Sequence, residues 1–319
     1  MSSPTPDPAT RDPRTLHGVV PPVCTPLTPE LEVDARSLER LVNFLLSGGV
    51  HGVFVLGSSG ETAFLTDAQR ERVLDVVVST VSGQVPVLGG AIDMTTARVL
   101  ERTRSVQRAG ADAVVATAPF YARTHPAEIE HHFRLLASGA DLPLYAYDLP
   151  VSVGSKLDPE LLLRLAEEGL LAGVKDSSGD DAALRTLLLG RRRRGLDGFS
   201  VLTGSEVTVD NALRMGADGV VPGLGNVDPH GYVELYRNCR DGLWDVARAD
   251  QERLHDLKGM TEIADPTRVG ASSAGLGAFK AALQHRGVID CARTAPPQLP
   301  LEDHEVDRVK QHLVAAELL

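Results

Sequence analysis

Lys175 is the first candidate for chemistry. It ends a short apolar run, Leu170-Leu171-Ala172-Gly173-Val174, and the polar turn Asp176-Ser177-Ser178-Gly179 follows at once. This spacing predicts a β-strand with an amine at its C-terminal end. The chain has five lysines (Lys156, Lys175, Lys258, Lys280 and Lys310) among 32 basic residues, and of these only Lys175 ends such a run. Burial disfavours a charged amine, and a neutral amine attacks a carbonyl to form an imine. The alternative is a strand-end lysine that snorkels to water or pairs with Asp176. Ser58 and Ser59 lie between Gly57 and Gly60. Such a turn can aim backbone N–H groups at an anion, and a carboxylate fits it; the alternative is an ordinary connection after a strand. Three of the five tyrosines, Tyr121, Tyr145 and Tyr147, fall at the ends of two apolar runs. Alternation puts Tyr145 and Tyr147 on one side, with Tyr147 nearer the strand end. A phenol within reach of Lys175 can pass protons to an imine; the alternative is a rim aromatic with a hydrogen-bonded hydroxyl.

The elements that must position these groups alternate along the chain. Apolar runs at 18–24, 52–56, 85–90, 113–117, 143–147, 172–175, 199–203 and 219–222 predict strands. Segments of helical periodicity follow each one. Asp34 is an expected N-cap. Thr66 with Gln69 makes a capping box. Asp158-Pro159 opens a helix as N-cap and first-turn proline. Pro21 and Pro22 weaken the first strand, since proline donates nothing to a ladder. Eight strand-then-helix units of roughly 25 to 35 residues predict the α/β class and a (β/α)8 TIM barrel. A doubly wound sheet is the rival, but no Gly-x-Gly-x-x-Gly follows the first strand. From about residue 243 the pattern is helical only, with candidates at 243–258, 276–286 and 301–316. The expected organisation is a disordered tail over 1–15, a barrel over 16–240 and a C-terminal helical domain over 241–319. In a barrel, chemistry sits at the C-terminal strand ends. That rule gathers Ser58, Ser59, Tyr121, Tyr147, Lys175 and the stretch Thr203-Gly204-Ser205-Glu206 on one rim.

Composition narrows the function classes. The net charge of -11 over 319 residues argues against a nucleic-acid binder. No apolar run approaches the roughly 20 residues that span a bilayer, and residues 1–14 lack a signal-peptide core. A cytoplasmic location is the default expectation. The three cysteines, Cys24, Cys239 and Cys291, have neither disulfide-framework nor metal-ligand spacing. The ten histidines do not gather at strand ends, so a metal-dependent barrel hydrolase is disfavoured. The run Arg191 to Arg194, at a helix C-terminus, reads as a solvated face favoured by the helix dipole.

The set Gly57-Ser58-Ser59-Gly60-Glu61, Tyr147-Asp148-Leu149-Pro150 and Gly173-Val174-Lys175-Asp176 closely resembles the dihydrodipicolinate synthase / N-acetylneuraminate lyase family, in order and with family spacing over about residues 16–315. The resemblance implies a class I, pyruvate-dependent Schiff-base aldolase on a (β/α)8 barrel with C-terminal helices. It implies Lys175 as the imine-forming lysine and Tyr147 as the general acid/base. Ser58 and Ser59 would hold the pyruvate carboxylate, with Ser58 also in the proton relay. Tyr121 matches a tyrosine donated across a subunit interface, so a homo-oligomer, a dimer or a homotetramer, is implied. Gly204 and Val221 match pocket-lining positions. No metal or other cofactor is implied.

Two departures bear on the substrate. Dihydrodipicolinate synthases carry an arginine that grips the aldehyde's carboxylate where this chain has Ser152, and a hydroxyl cannot replace a bidentate guanidinium. Met94 and Arg98 stand where the lysine-feedback site would place an amide and a carboxylate. Conversely, Glu206 falls where sialate lyases use an acidic residue on sugar hydroxyls. The expected activity is therefore carbon–carbon bond making or breaking between pyruvate and an aldehyde. The expected substrate is a 2-keto-3-deoxy sugar acid or a related 4-hydroxy-2-keto acid. A dehydratase or hydratase-aldolase with the same lysine and tyrosine is the first rival, and a non-catalytic pyruvate-binding barrel the second. Ser152 weighs against dihydrodipicolinate synthesis itself.

Overall fold

The computed structural model describes residues 15–319. The expected tail therefore lies, but for Thr15, outside the described residues. Eight strands, β1 (Gly18–Val19), β2 (Val53–Val55), β3 (Val87–Gly90), β4 (Ala113–Thr117), β5 (Leu144–Asp148), β6 (Gly173–Asp176), β7 (Ser200–Thr203) and β8 (Gly219–Val220), pair in parallel in the order β1-β8-β7-β6-β5-β4-β3-β2. Hydrogen bonds from His51 N to Val19 O (2.8 Å), Phe54 N to Pro21 O (3.0 Å) and Val23 N to Phe54 O (2.8 Å) join the first strand segment to the second and close the cylinder. The expected first and last strands shrink to two residues each. Pro21, Pro22 and Pro222 have no N–H to give a ladder, so the continuous β1–β8 ladder ends before them, and only an isolated parallel bridge pairs Pro22 with Phe54.

Between the strands lie α1 (Ala35–Ser47), α2 (Asp67–Val81), α3 (Thr96–Ala109), α4 (Pro126–Gly139), α5 (Pro150–Val153), α6 (Pro159–Glu167), α7 (Asp181–Arg193) and α8 (Val209–Met215), and α9 (Pro229–Arg240) follows β8. The local signals act as the sequence predicts. Asp34 accepts from the Ser37 N–H, the Thr66–Gln69 capping box is complete, and Asp158 accepts from Glu160 and Leu161. The one-turn helix α5 has no counterpart in the periodicity, because four residues carry no period. The chain ends in α10 (Trp244–Lys258), α11 (Ala271–His285) and α12 (Asp303–Ala315). Helix α11 starts well before residue 276, since its first turn, Ala271-Ser272-Ser273-Ala274, has no apolar stripe. Among the described residues no helix is long and apolar enough to cross a membrane.

The arginine run is a correction. Arg191 bonds the Asp218 carboxylate and the Phe199 carbonyl, and its side chain is only 17% exposed. Arg194 pairs with Glu160 and Glu167 on α6. Half of the run staples helices and strand ends together rather than facing solvent.

Two apolar layers follow from strand alternation. The larger one lies between the sheet and its helices. The smaller fills the barrel, with Phe54, Leu88, Val115, Tyr145, Tyr147, Leu202 and Val221 among its members. Gly173 permits this filling. A Cβ there would overlap the Tyr145 ring and the Ser200 carbonyl, so the residue two before Lys175 must be glycine for the ring to lie beneath the lysine.

Candidate active site

Residues 145 and 173, and then 147 and 175, are register partners on β5 and β6. Alternation therefore raises Tyr147 and Lys175 together, one layer above Tyr145 and Gly173. Lys175 is 6% exposed. Its Nζ lies 4.2 Å from the centroid of the Tyr147 ring and 5.0 Å from that of Phe54. The two rings meet edge to face at 6.1 Å. The amine thus sits in an aromatic cradle at the upper end of the barrel core, which excludes the snorkelling alternative. Asp176 does not neutralise it. Its carboxylate accepts instead from the Ser178 N–H at 2.8 Å, tightening the turn after β6.

The Tyr147 hydroxyl is 3.4 Å from the Ser58 hydroxyl. Burial alone would raise the Tyr147 pKa. The Lys175 charge, with hydrogen bonds from Ser58, Lys175 and Ser177, outweighs burial and holds the phenol below its ordinary value. A phenol held this way gives and regains a proton readily. The expected trio of Ser58, Tyr147 and Lys175 is brought together. Ser177 belongs with them and was not anticipated, because a serine in a polar turn carries no distinguishing pattern. Gly204 explains its position: a Cβ at 204 would overlap the Ser177 hydroxyl. Phe54 was also missed, since an aromatic in a strand reads as core.

The Ser58–Ser59 turn leaves β2 in a tight loop. Gly60 N bonds Gly57 O (3.1 Å) and Glu61 N bonds Ser58 O (3.0 Å). Among the described residues, neither the Ser58 nor the Ser59 N–H donates to a backbone carbonyl. Ser58 and Ser59 form one wall of a cleft of about 370 Å³. The opposite wall comes from Glu206 and from the C-terminal helices, through Lys258, Thr261, Ser272 and Phe279. That helical wall has no signature in the sequence.

Glu206 is firmly held. Its Oε1 accepts the Leu224 N–H at 2.5 Å, its Oε2 lies 3.6 Å from Lys258 Nζ, and burial raises its pKa. These ties keep residues 204–208 as a loop, and α8 begins only at Val209. Val221 is 3% exposed within the barrel core. Asp148 ends β5 by accepting from Lys156 and from the Leu157 N–H, and it turns away from Lys175. Two expected residues stand apart from the amine in one chain. Ser152 is exposed on α5. Tyr121 is 95% exposed and adopts φ 72°, a conformation rare outside glycine.

This arrangement has known relatives. The profile of the dihydrodipicolinate synthetase family matches residues 15–316. A DapA-like lyase of Halobacterium salinarum, itself uncharacterised, is 35% identical over 282 residues, covering 88% of this chain and 91% of its own. The 4-hydroxy-tetrahydrodipicolinate synthase of Methanopyrus kandleri is 32% identical over 297 residues, covering 92% of each chain. Among solved structures, the pyruvate complex of YagE, a prophage protein of the dihydrodipicolinic acid synthase family from E. coli K12, superposes with a TM-score of 0.87. It is 28% identical and covers 95% of this chain and 99% of its own. With Lys175 and Tyr147 at the strand ends of an eight-stranded barrel, the chain belongs to the dihydrodipicolinate synthetase family and is a carbon–carbon lyase of the class I aldolase type.

Proposed function

We propose that the chain cleaves or forms the C3–C4 bond of a 2-keto-3-deoxy sugar acid, or a related 4-hydroxy-2-keto acid, through an imine on Lys175. The observation that carries this reading is the contact of the Lys175 amine with Tyr147, whose hydroxyl meets Ser58. Lys175 first yields its proton; the free amine then attacks the keto carbon, and loss of water gives a protonated imine. Tyr147, as phenolate, takes the proton of the C4 hydroxyl. The C3–C4 bond electrons then flow into the imine, the aldehyde leaves, and an enamine remains. Protonation at C3 and hydrolysis release pyruvate and restore the amine. Ser58 relays the proton between Tyr147 and solvent. The Ser58 and Ser59 N–H groups donate to the substrate carboxylate.

The distal chain of the substrate runs into the cleft toward Glu206 and Ser272. That lining, rich in hydroxyls and carboxylate oxygens, suits a hydroxylated tail, and the absence of a guanidinium at Ser152 weighs against one ending in a carboxylate. Gly204 and Val221 shape the floor. The exposure and left-handed backbone of Tyr121 support its donation to the site of a second copy, so the working enzyme is a homo-oligomer. The YagE complex supports pyruvate as the keto-acid portion.

Incubation with 2-keto-3-deoxygluconate tests the reading. Pyruvate and an aldehyde in equal amounts are expected. A dehydrated keto acid without loss of carbon would replace the aldolase by a dehydratase.

A further inference from the structure

Glu61 and Lys280 form an ion pair in which both side chains are 0% exposed. Glu61 closes the Gly57–Glu61 turn, and Lys280 lies in the buried stretch Leu276–Leu283 of α11. Packing alone does not call for charges there. A buried pair loses hydration on both ions, and apolar side chains of like volume are often as stabilising or more so. What the pair adds is direction.

Each partner is fixed by a second bond. Lys280 Nζ donates to the Arg293 carbonyl at 2.6 Å, and the other Glu61 oxygen accepts the Ala295 N–H at 2.5 Å. The residue so gripped has a left-handed backbone, φ 58°, which a side-chain-bearing residue keeps only where its surroundings impose it. The Glu61 N–H bonds the Ser58 carbonyl, and Thr25 Oγ1 bonds the Gly60 carbonyl at 2.8 Å. The turn that carries Ser58 and Ser59 is thus held at its far end by the C-terminal region.

We infer that Glu61 and Lys280 are positioning residues for carboxylate binding: α11, through this pair, sets the direction of the Ser58 and Ser59 N–H groups and hence the affinity for pyruvate. The inference rests on the proposed role of that turn. Without the pair, Glu61 relaxes toward an ordinary backbone conformation and the N–H groups rotate off the carboxylate. Lys175 and Tyr147 stand on other strands and keep their relation. Affinity for pyruvate therefore falls while imine chemistry at saturation survives.

The experiment compares the full chain with Glu61→Gln and with the apolar double variant Glu61→Met/Lys280→Met. Melting temperature and the pyruvate concentration giving half-maximal borohydride trapping are read for each. The inference expects half-saturation to rise about tenfold in both, with trapping still complete at saturating pyruvate. The double variant is expected to melt near the wild-type temperature. A double variant that is equally stable and binds pyruvate like wild type would overturn the inference, because the pair would then only fill space. Wild-type half-saturation in a folded Glu61→Gln overturns it equally, should the double variant fail to fold. Failure of the wild-type chain to trap pyruvate at any concentration would overturn the Schiff-base reading itself, and the inference with it.

Discussion

Lys175 and Tyr147 occupy paired positions on neighbouring strands, and the lysine Nζ lies 4.2 Å from the centre of the phenol ring. The ring and the amine therefore form one unit, positioned by the register of β5 on β6 and not by flexible loops. The ring packs against the amine, and its hydroxyl reaches Ser58. Ring and hydroxyl can be tested separately.

Tyr147→Phe keeps the ring and removes the hydroxyl. Trapping of a pyruvate imine is expected to persist in part, while turnover falls by about 10²- to 10⁴-fold, the usual contribution of a positioned acid/base. Single-turnover trapping beside steady-state kinetics separates the two. Normal turnover in this variant would remove Tyr147 from the acid/base role.

Ser58→Ala removes one of the hydrogen bonds that hold the Tyr147 pKa below its ordinary value. The phenol should then titrate at higher pH. The ascending limb of a kcat/KM profile, where this phenol ionises to the phenolate base, should move upward in the variant. An unchanged limb would show that the limb belongs to another group.

The glycines beneath and beside the site should tolerate nothing larger. Gly173→Ala pushes a Cβ into the Tyr145 ring and the Ser200 carbonyl, and overpacking of this kind costs about 3 kcal/mol or prevents folding. Gly204→Ala meets mainly the Ser177 hydroxyl, so adding Ser177→Ala should restore part of the lost stability. Thermal denaturation of the single and double variants measures both effects. No gain from the second substitution would contradict the contact.

Acid should destabilise the fold through two histidines. Burial is the main cause that lowers the pKa of both His51 and His132 from 6.5 to about 4. The folded state resists protonating them, whereas the unfolded chain protonates near 6.5. Their contribution is therefore complete above pH 6.5 and is lost as the pH falls through about 4. For His132, which is 1% exposed, the loss is on the order of 3 kcal/mol. His51 is only partly buried, and its share is smaller. His132→Gln should flatten the decline in urea-melt stability between these pH values. A parallel decline in the variant would assign it to other groups.

What the sequence made legible was what is local. Asp34, the Thr66–Gln69 pair and Asp158 announce helix starts within four residues of the groups they cap. Lys175 stands out because an amine ends an apolar run, and strand alternation is enough to set Tyr147 on its side of the barrel. Relations between distant segments were not legible. Glu61 and Lys280 are far apart in the chain, and no spacing predicts that they meet. The wall formed by Lys258, Thr261 and Ser272 depends on how α10 and α11 pack on the rim, which no periodicity encodes. Phe54 and Ser177 were hidden for the opposite reason, each being an ordinary residue for its element. Arg191 shows the same limit, since its partner Asp218 lies 27 residues on, beyond β7 and α8.

Imine formation at Lys175 is the central step, and reductive trapping tests it most directly. The chain is incubated with excess pyruvate and borohydride, and intact mass and peptide mass are measured. One adduct per chain on the peptide containing Lys175 is predicted, and none in Lys175→Ala. Absence of the adduct in the wild-type chain, or an adduct that survives in Lys175→Ala, would contradict the account.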